Sequence, residues 1–366
     1  MSKVFFANNR AKNNMGLLDK LDKLIEQLNL SSKIEEGDLV AIKTHFGERG
    51  NTAFVPAPFL GRIVKAVKDA GGLPFLTDAN TLYKGSRSNA IDHINTAVEN
   101  GFSYATTRAP VIIADGLDGK DYRSVPIEAK HYKEVKIGSA AVRADAMIVV
   151  THFKGHEMTG FGGAIKNVGM GLGSRSAKQM MHSSALPTVN LNKCTACQKC
   201  IPWCPTDAIT MVKNKAVIDR EKCYGCGECV VTCRFGAIDI QWKTSSDEMQ
   251  ERIVEHTLGA LKNKDNKTIF LNFLLNITPD CDCWSWSDAP IVEDIGILAS
   301  DDIVAIDKAS LDLVNKAIGI KTNRLDDPDA LDKFKHIFPD IDHSAQLTYG
   351  EKLGLGTKDY RLIKIG

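Results

Sequence analysis

Eight of the ten cysteines fall into two copies of one pattern, Cys-x-x-Cys-x-x-Cys-x-x-x-Cys. The first copy is Cys194, Cys197, Cys200 and Cys204, followed by Pro205; the second is Cys223, Cys226, Cys229 and Cys233. Each cysteine of the second copy lies 29 residues after its counterpart, and Ile238 keeps the same offset from Ile209. Thiolate sulfur is soft and matches iron, and two-residue gaps let three cysteines of one loop cap three irons. The fourth, beyond a longer gap, turns toward the neighbouring cluster. The spacing therefore predicts two [4Fe–4S] clusters: one on Cys194, Cys197, Cys200 and Cys233, the other on Cys223, Cys226, Cys229 and Cys204. Zinc sites do not call for two quartets at this spacing and offset. The chemistry expected is one-electron transfer.

The remaining 1–188 and 243–366 read differently from this stretch. At 366 residues, 43% hydrophobic and 25% charged, the chain has room for two or three domains. A formal net charge of +1 gives no general pull toward nucleic acid or an anionic membrane. The opening residues hold no apolar run of signal-peptide length, and no stretch approaches about 18 consecutive apolar residues. Ten cysteines without a secretion signal point to a reducing cytoplasm and to metal ligation rather than disulfides. Exposed low-potential clusters would also suit an anaerobic host.

Leu17, Leu18, Leu21, Leu24, Ile25 and Leu28 recur at helical spacing. Strand-like runs follow at 39–42, 73–77, 111–114 and 146–150, with helices at 58–71 and 91–98 between them. After the cysteines, a helix at 249–261, a strand at 269–275, a strand at 302–306 and a helix at 308–317 resume the alternation. A helical segment at 326–354 and a last strand at 360–365 close it. Such alternation indicates an α/β fold, a mainly parallel sheet flanked by helices. Residues 1–188 plus 243–366 are expected to form one discontinuous α/β domain. It is interrupted by a small α+β bacterial-type ferredoxin domain at 189–242.

In open α/β sheets ligands bind outside the carboxyl ends of the strands. His45, Asp78, Asp115 and His152 each sit just past such an end, with Lys43 beside the first. His152 and His156 are four apart and followed by Glu157; on a helix they would share a face for metal chelation, although Gly155 makes a loop equally consistent. Lys154 lies between them. Gly160–Arg175 is glycine-rich, and Gly162, Gly163, Gly171 and Gly173 could free backbone N–H groups for an anion. Lys166, Asn167, Ser174, Arg175 and Lys178 would add polar and positive groups. The stretch is neither a P-loop nor a dinucleotide fingerprint, and a flexible lid is the bland alternative. His182 follows and could face the same cleft. Cys281 and Cys283, two apart in an extended chain, would point to one face and could grip an additional metal.

These segments carry a resemblance. The motifs Lys-Thr-His-Phe-Gly-Glu (43–48), Thr-Asp-Ala-Asn-Thr-Leu-Tyr (77–83), His-Phe-Lys-Gly-His-Glu (152–157), Gly-Phe-Gly-Gly-Ala-Ile-Lys-Asn (160–167), Gly-Met-Gly-Leu-Gly-Ser-Arg (169–175), Cys-Asp-Cys (281–283) and Asp-Ile-Gly-Ile-Leu-Ala-Ser (294–300) resemble, almost end to end, the iron–sulfur proteins of the domain of unknown function family 362. The resemblance implies an inserted ferredoxin, two [4Fe–4S] clusters and cytoplasmic residence, but no settled reaction. Arg234 stands where a proline usually follows the last cysteine. Its charge should favour the reduced state of the cluster that Cys233 serves. The expected function is electron transfer through the clusters to a metal or small-molecule site in the α/β cleft, with a redox partner protein. The alternatives are a carrier or adaptor that docks a larger oxidoreductase, and a protein that matures a metal or cofactor.

Overall fold

The computed structural model describes residues 1–12, 14–182, 186–239 and 244–365. The chain runs through β1 (Ser2–Asn8), α1 (Leu17–Gln27), β2 (Leu39–Lys43), α2 (Ala57–Asp69), β3 (Leu73–Asp78), α3 (Ala90–Glu99), α4 (Tyr104–Thr107) and β4 (Val111–Ile113). A hairpin of β5 (Tyr122–Pro126) and β6 (Glu134–Gly138) leads to α5 (Ser139–Arg143) and β7 (Ala146–His152). The short pair β8 (Lys154–His156) and β9 (Gly160–Gly162) precedes α6 (Ala164–Leu172) and α7 (Arg175–His182). The cysteine-rich stretch holds β10 (Ile209–Val212), β11 (Lys215–Ile218) and α8 (Glu228–Thr232). Then come α9 (Ser246–Leu261), β12 (Thr268–Leu274), β13 (Gly296–Ser300), α10 (Ile303–Lys316), α11 (Lys333–Ile337), α12 (Ser344–Lys352) and β14 (Tyr360–Lys364).

Eight strands form one sheet in the order β14-β1-β13-β12-β7-β2-β3-β4. Its pairs are parallel except the two that involve β13. Successive strand residues feed opposite faces, as a pleated strand requires. Val40, Ile42, Ile148 and Val150 enter a core shared with α1 and α2, whereas Ala41, Met147 and Val149 enter one shared with α6, α9 and α10. Both faces are thus covered, which explains why these strands read as continuous apolar runs. Leu21, Leu24 and Leu60 are fully buried, each stabilising the fold by about 1.5–3 kcal/mol relative to exposure. The cysteine-rich stretch has its own small core of Cys200, Ile209, Ala216, Cys229, Val230 and Ile238. The expected boundary at 242–243 lies outside the described residues.

Several local expectations are corrected. Residues 302–306 are not a strand: Asp302 caps α10, accepting from the Ala305 amide at 2.8 Å. The strand at this point is β13, whose neighbours lie far away in sequence. β1 carries no strand expectation at all, because its alternation is weak. Residues 326–354 hold two short helices, not one long segment. The stretch 160–175 is not a glycine loop but β9, α6 and the start of α7. His152 and His156 are on β7 and β8, not on a helix.

Candidate functional site

A cavity of about 540 Å³ opens beyond the carboxyl ends of β2, β3, β7 and β12. Each element delivers side chains to it because parallel strands end together while their following loops diverge. His45 and Asp78 come from the ends of β2 and β3; Lys154, His156 and Glu157 from β8 and its turn; Lys166, Asn167 and Gly171 from α6; Lys178 and His182 from α7; Cys281 and Cys283 from the loop after β12. Met158, Met170, Met249 and Trp284 give the wall an apolar share.

Other expected residues lie behind this wall or elsewhere. Lys43 is buried beneath it, donating to Asn167 Oδ1 at 2.6 Å and lying 3.1 Å from Asp78. His152 is spent in the interior: Nδ1 lies 2.8 Å from Asp282, and Nε2 2.9 Å from the Leu275 carbonyl. It is therefore not a chelating partner of His156. Asp115 is also buried, accepting from the Asn80 amide at 2.9 Å. The glycines serve packing rather than an anion. The first amides of α6, those of Ala164 and Ile165, already donate to Asp307 at 2.7 and 2.9 Å. A Cβ at Gly163 would fall 2.4 Å from that carboxylate. Gly162 abuts the Lys154 and Lys166 side chains, and Gly173 abuts Met181. Ser174 Oγ accepts from the Ala177 amide at 3.2 Å. Arg175 donates to the Thr81 and Leu82 carbonyls at 2.9 and 3.3 Å, tying α7 to the loop after β3.

Electrostatics give the cavity its chemistry. Burial, reinforced by Arg87, holds His45 well below the ordinary imidazole range, and burial pushes His182 down to about 3. Both rings are neutral near pH 7. The Gly47 amide donates to His45 Nδ1 at 3.0 Å, so the proton of that neutral ring sits on Nε2. Burial pushes Asp115 up to about 7 and Lys178 down to about 8. Burial would raise Asp78 too, but Lys43 and the neighbouring cations outweigh it, and the carboxyl is lowered.

Cys281 and Cys283 form a turn rather than an extended segment, yet their sulfurs converge. The Cys283 thiol donates to Cys281 and draws its pKa well below normal, against burial and with help from Lys166 and His156. Cys283 is raised correspondingly, so Cys281 carries the charge. Lys166 Nζ stands 3.5 Å from Cys281 Sγ. The ligand atoms of His156, Cys281 and Cys283 all lie within 4.8 Å of one another.

Sequence reasoning gave no role to Arg87, Glu48, Tyr83, Trp284 or Trp286, which gather in this neighbourhood. Arg87 is buried, 3.2 Å from Glu48 and 3.6 Å from Asp78. Its guanidinium donates to the Tyr83 hydroxyl at 2.7 Å, which lies 3.0 Å from the Cys283 carbonyl. Trp284 stacks on Trp286 with ring centroids 5.7 Å apart. Tyr83 and Glu48 sat inside motifs already singled out. Arg87 had no spacing signal, since its partners come from remote loops.

All ten cysteines are free of disulfides, eight of them in the cysteine-rich stretch. Cys194, Cys197, Cys200 and Cys233 line one small cavity; Cys204, Cys223, Cys226 and Cys229 line another. Backbone amides point at sulfur: Ala208 to Cys204 at 3.2 Å, Ala216 to Cys194 at 3.4 Å and Ala237 to Cys233 at 3.2 Å. Left-handed backbone recurs at the 29-residue offset: Ala196, Gln198 and Asp207 in the first copy, Gly225, Gly227 and Gly236 in the second. Arg234 is exposed. The unit joins the α/β layers through Lys136 and Glu228, 2.7 Å apart, and Lys120 Nζ lies 3.6 Å from the Trp203 ring centroid. Gly227 abuts Ser176 and Gln179 of α7.

Fold and crevice together define an α/β protein with a cavity at the strand ends. Among described residues no helix is long and apolar enough to cross a membrane. The model of the family described as Domain of unknown function (DUF362) matches residues 40–312, and the chain belongs to that family. No curated protein matches it. Similar solved structures include the lactate racemase apoprotein from Thermoanaerobacterium thermosaccharolyticum, at 13% identity and a TM-score of 0.40, covering 75% of this chain and 51% of that one. A structural-genomics protein from Thermotoga maritima shows 12% identity and a TM-score of 0.40, covering 73% and 52%. This chain thus spans about half the length of either.

Proposed function

We propose that this is an iron–sulfur redox protein whose two [4Fe–4S] clusters exchange electrons with a metal or small-molecule site in the α/β cleft. The observation that carries the reading is the sorting of eight cysteines into two cavities, each drawing one thiol from the other copy of the repeat. Four soft donors around each cavity, with amides aimed at sulfur, fit that group. Bound clusters would supply one-electron transfer.

The chain's own residues supply the rest. Helix α7 faces both centres: Ser176 and Gln179 abut the second quartet's loop, while Lys178 and His182 line the cavity. This helix therefore links the second quartet's loop to the cleft. Lys178, brought down to about 8, is the cavity group suited to move protons near neutral pH, neutral His45 offers an Nε2–H donor, and the cavity of about 540 Å³ favours an acceptor site over a bare carrier. A donor protein in the same compartment would complete the path.

Oxygen-free purification tests this directly. About eight iron and eight sulfide per chain are expected, and Cys204→Ser and Cys233→Ser should each cost about half. Loss of one cluster by Cys204→Ser should leave the signal of the Cys194 quartet in the electron paramagnetic resonance spectrum. Zinc in place of iron, or no labile sulfide, would refute the reading.

A further inference from the structure

We propose that His156, Cys281 and Cys283 form a three-ligand site for one divalent transition ion, with a further coordination position open to the cavity. The inference deepens the reading of the cleft as an acceptor site, and it names the acceptor's ligands. Donor atoms already within 4.8 Å of one another need to close by only about 1 Å, because tetrahedral bonds of about 2.0–2.3 Å separate ligands by roughly 3.5–3.8 Å. Two thiolates and an imidazole suit zinc, cobalt or nickel and disfavour magnesium or calcium. Two cysteines are too few for another cubane cluster.

Three surrounding features fit the ion. Gly155 donates to the Thr278 carbonyl at 2.8 Å, and a Cβ there would lie 1.9 Å from the Pro279 oxygen. Glycine lets β8 press against the cysteine loop, which is what sets His156 beside Cys281. The Thr159 hydroxyl donates to the Phe161 carbonyl at 2.8 Å and lies 3.0 Å from His156 Nδ1. It can therefore accept from an Nδ1–H, leaving Nε2 a bare lone pair, the arrangement that metal-binding histidines use. The Met158 amide donates to Nδ1 at 3.1 Å, so the metal-free ring carries its proton on Nε2, and an ion bound at Nε2 must move that proton to Nδ1 and turn it toward Thr159. Lys166, 3.5 Å from Cys281, puts a cation where the ion's charge would sit. An arriving ion would displace the remaining thiol proton to solvent and release Lys166 to the cavity it already lines. Three protein ligands beside an open position is the catalytic, not the structural, pattern.

The test adds one equivalent of Co²⁺ to the anaerobically purified full chain after its iron and sulfide have been measured. A difference spectrum with thiolate-to-cobalt charge transfer and tetrahedral d–d bands is expected. The double variant Cys281→Ser, Cys283→Ser should abolish it, and His156→Gln should weaken cobalt binding at least about tenfold, all with iron content unchanged. Gly155→Ala should lose the bands without altering a ligand. The same cobalt spectrum in the double variant would overturn the site, as would its absence from a parent whose circular dichroism shows a native fold. Failure of the clusters would appear separately, in the iron and sulfide count.

Discussion

At the scale of single residues, buried histidines govern how the protein meets acid. His93 is fully buried, its ring packed edge-on to Phe46 and 3.9 Å from Asp78, and burial pushes it down to about 3. His256 falls to about 4 for the same reason. A histidine depressed in the fold but ordinary when unfolded takes up protons preferentially in the unfolded chain. Its stabilisation is complete above about pH 6.5 and fades as pH falls toward 3, by up to about 1.4 kcal/mol per pH unit for each ring. His93→Leu should flatten the fall of melting temperature between pH 6.5 and 4; parallel curves for variant and parent would refute the assignment. Chemistry at this scale was legible only where residue type and spacing coincide. The eight cysteines announce their grouping, and His156, Cys281 and Cys283 announce their types. Arg87 and Tyr83 do not, because their meaning lies in partners brought from other loops.

Among elements, strands of the parallel sheet could be read because burial on both faces writes them as unbroken apolar runs. The exchange of β13 for α10 shows the limit. Ser300-Asp301-Asp302 is a cap signal, but a following apolar run reads as strand or helix alike. The glycine-rich stretch misled in the other direction, since its glycines buy close helix packing and not freedom. Backbone handedness in the cysteine loops also has a measurable consequence. Gln198 holds φ at 59° where its counterpart Gly227 holds 77°. Gln198→Gly should stabilise the unit by about 0.5–1 kcal/mol. Gly227→Ala should cost at least about 1–2 kcal/mol, since the new Cβ would also lie 2.8 Å from Gln179 Cβ. Anaerobic denaturant titration checks both, and equal effects of the two changes would count against the left-handed repeat.

Across the whole molecule, a buried ion pair is among the contacts that anchor the cysteine-rich unit. Lys136 holds the Glu228 carboxyl below its usual range even though burial opposes it, and Tyr122 donates to the same oxygen at 2.8 Å. Lys136→Met strands that carboxylate and should cost about 3–5 kcal/mol, read as faster amide exchange across β10 and β11; unchanged exchange would show the pair to be dispensable. The sheet's strand order carries a consequence for biosynthesis. Phe5 of β1 is matched with Ala299 and Ser2 with Tyr360, so the earliest strand is bordered on both sides by late ones. A nascent chain on the ribosome can translate the whole cysteine-rich stretch while β1 still waits for a neighbour. Closure of this edge therefore waits for residues 296–364, and its long-range pairing should make it slow.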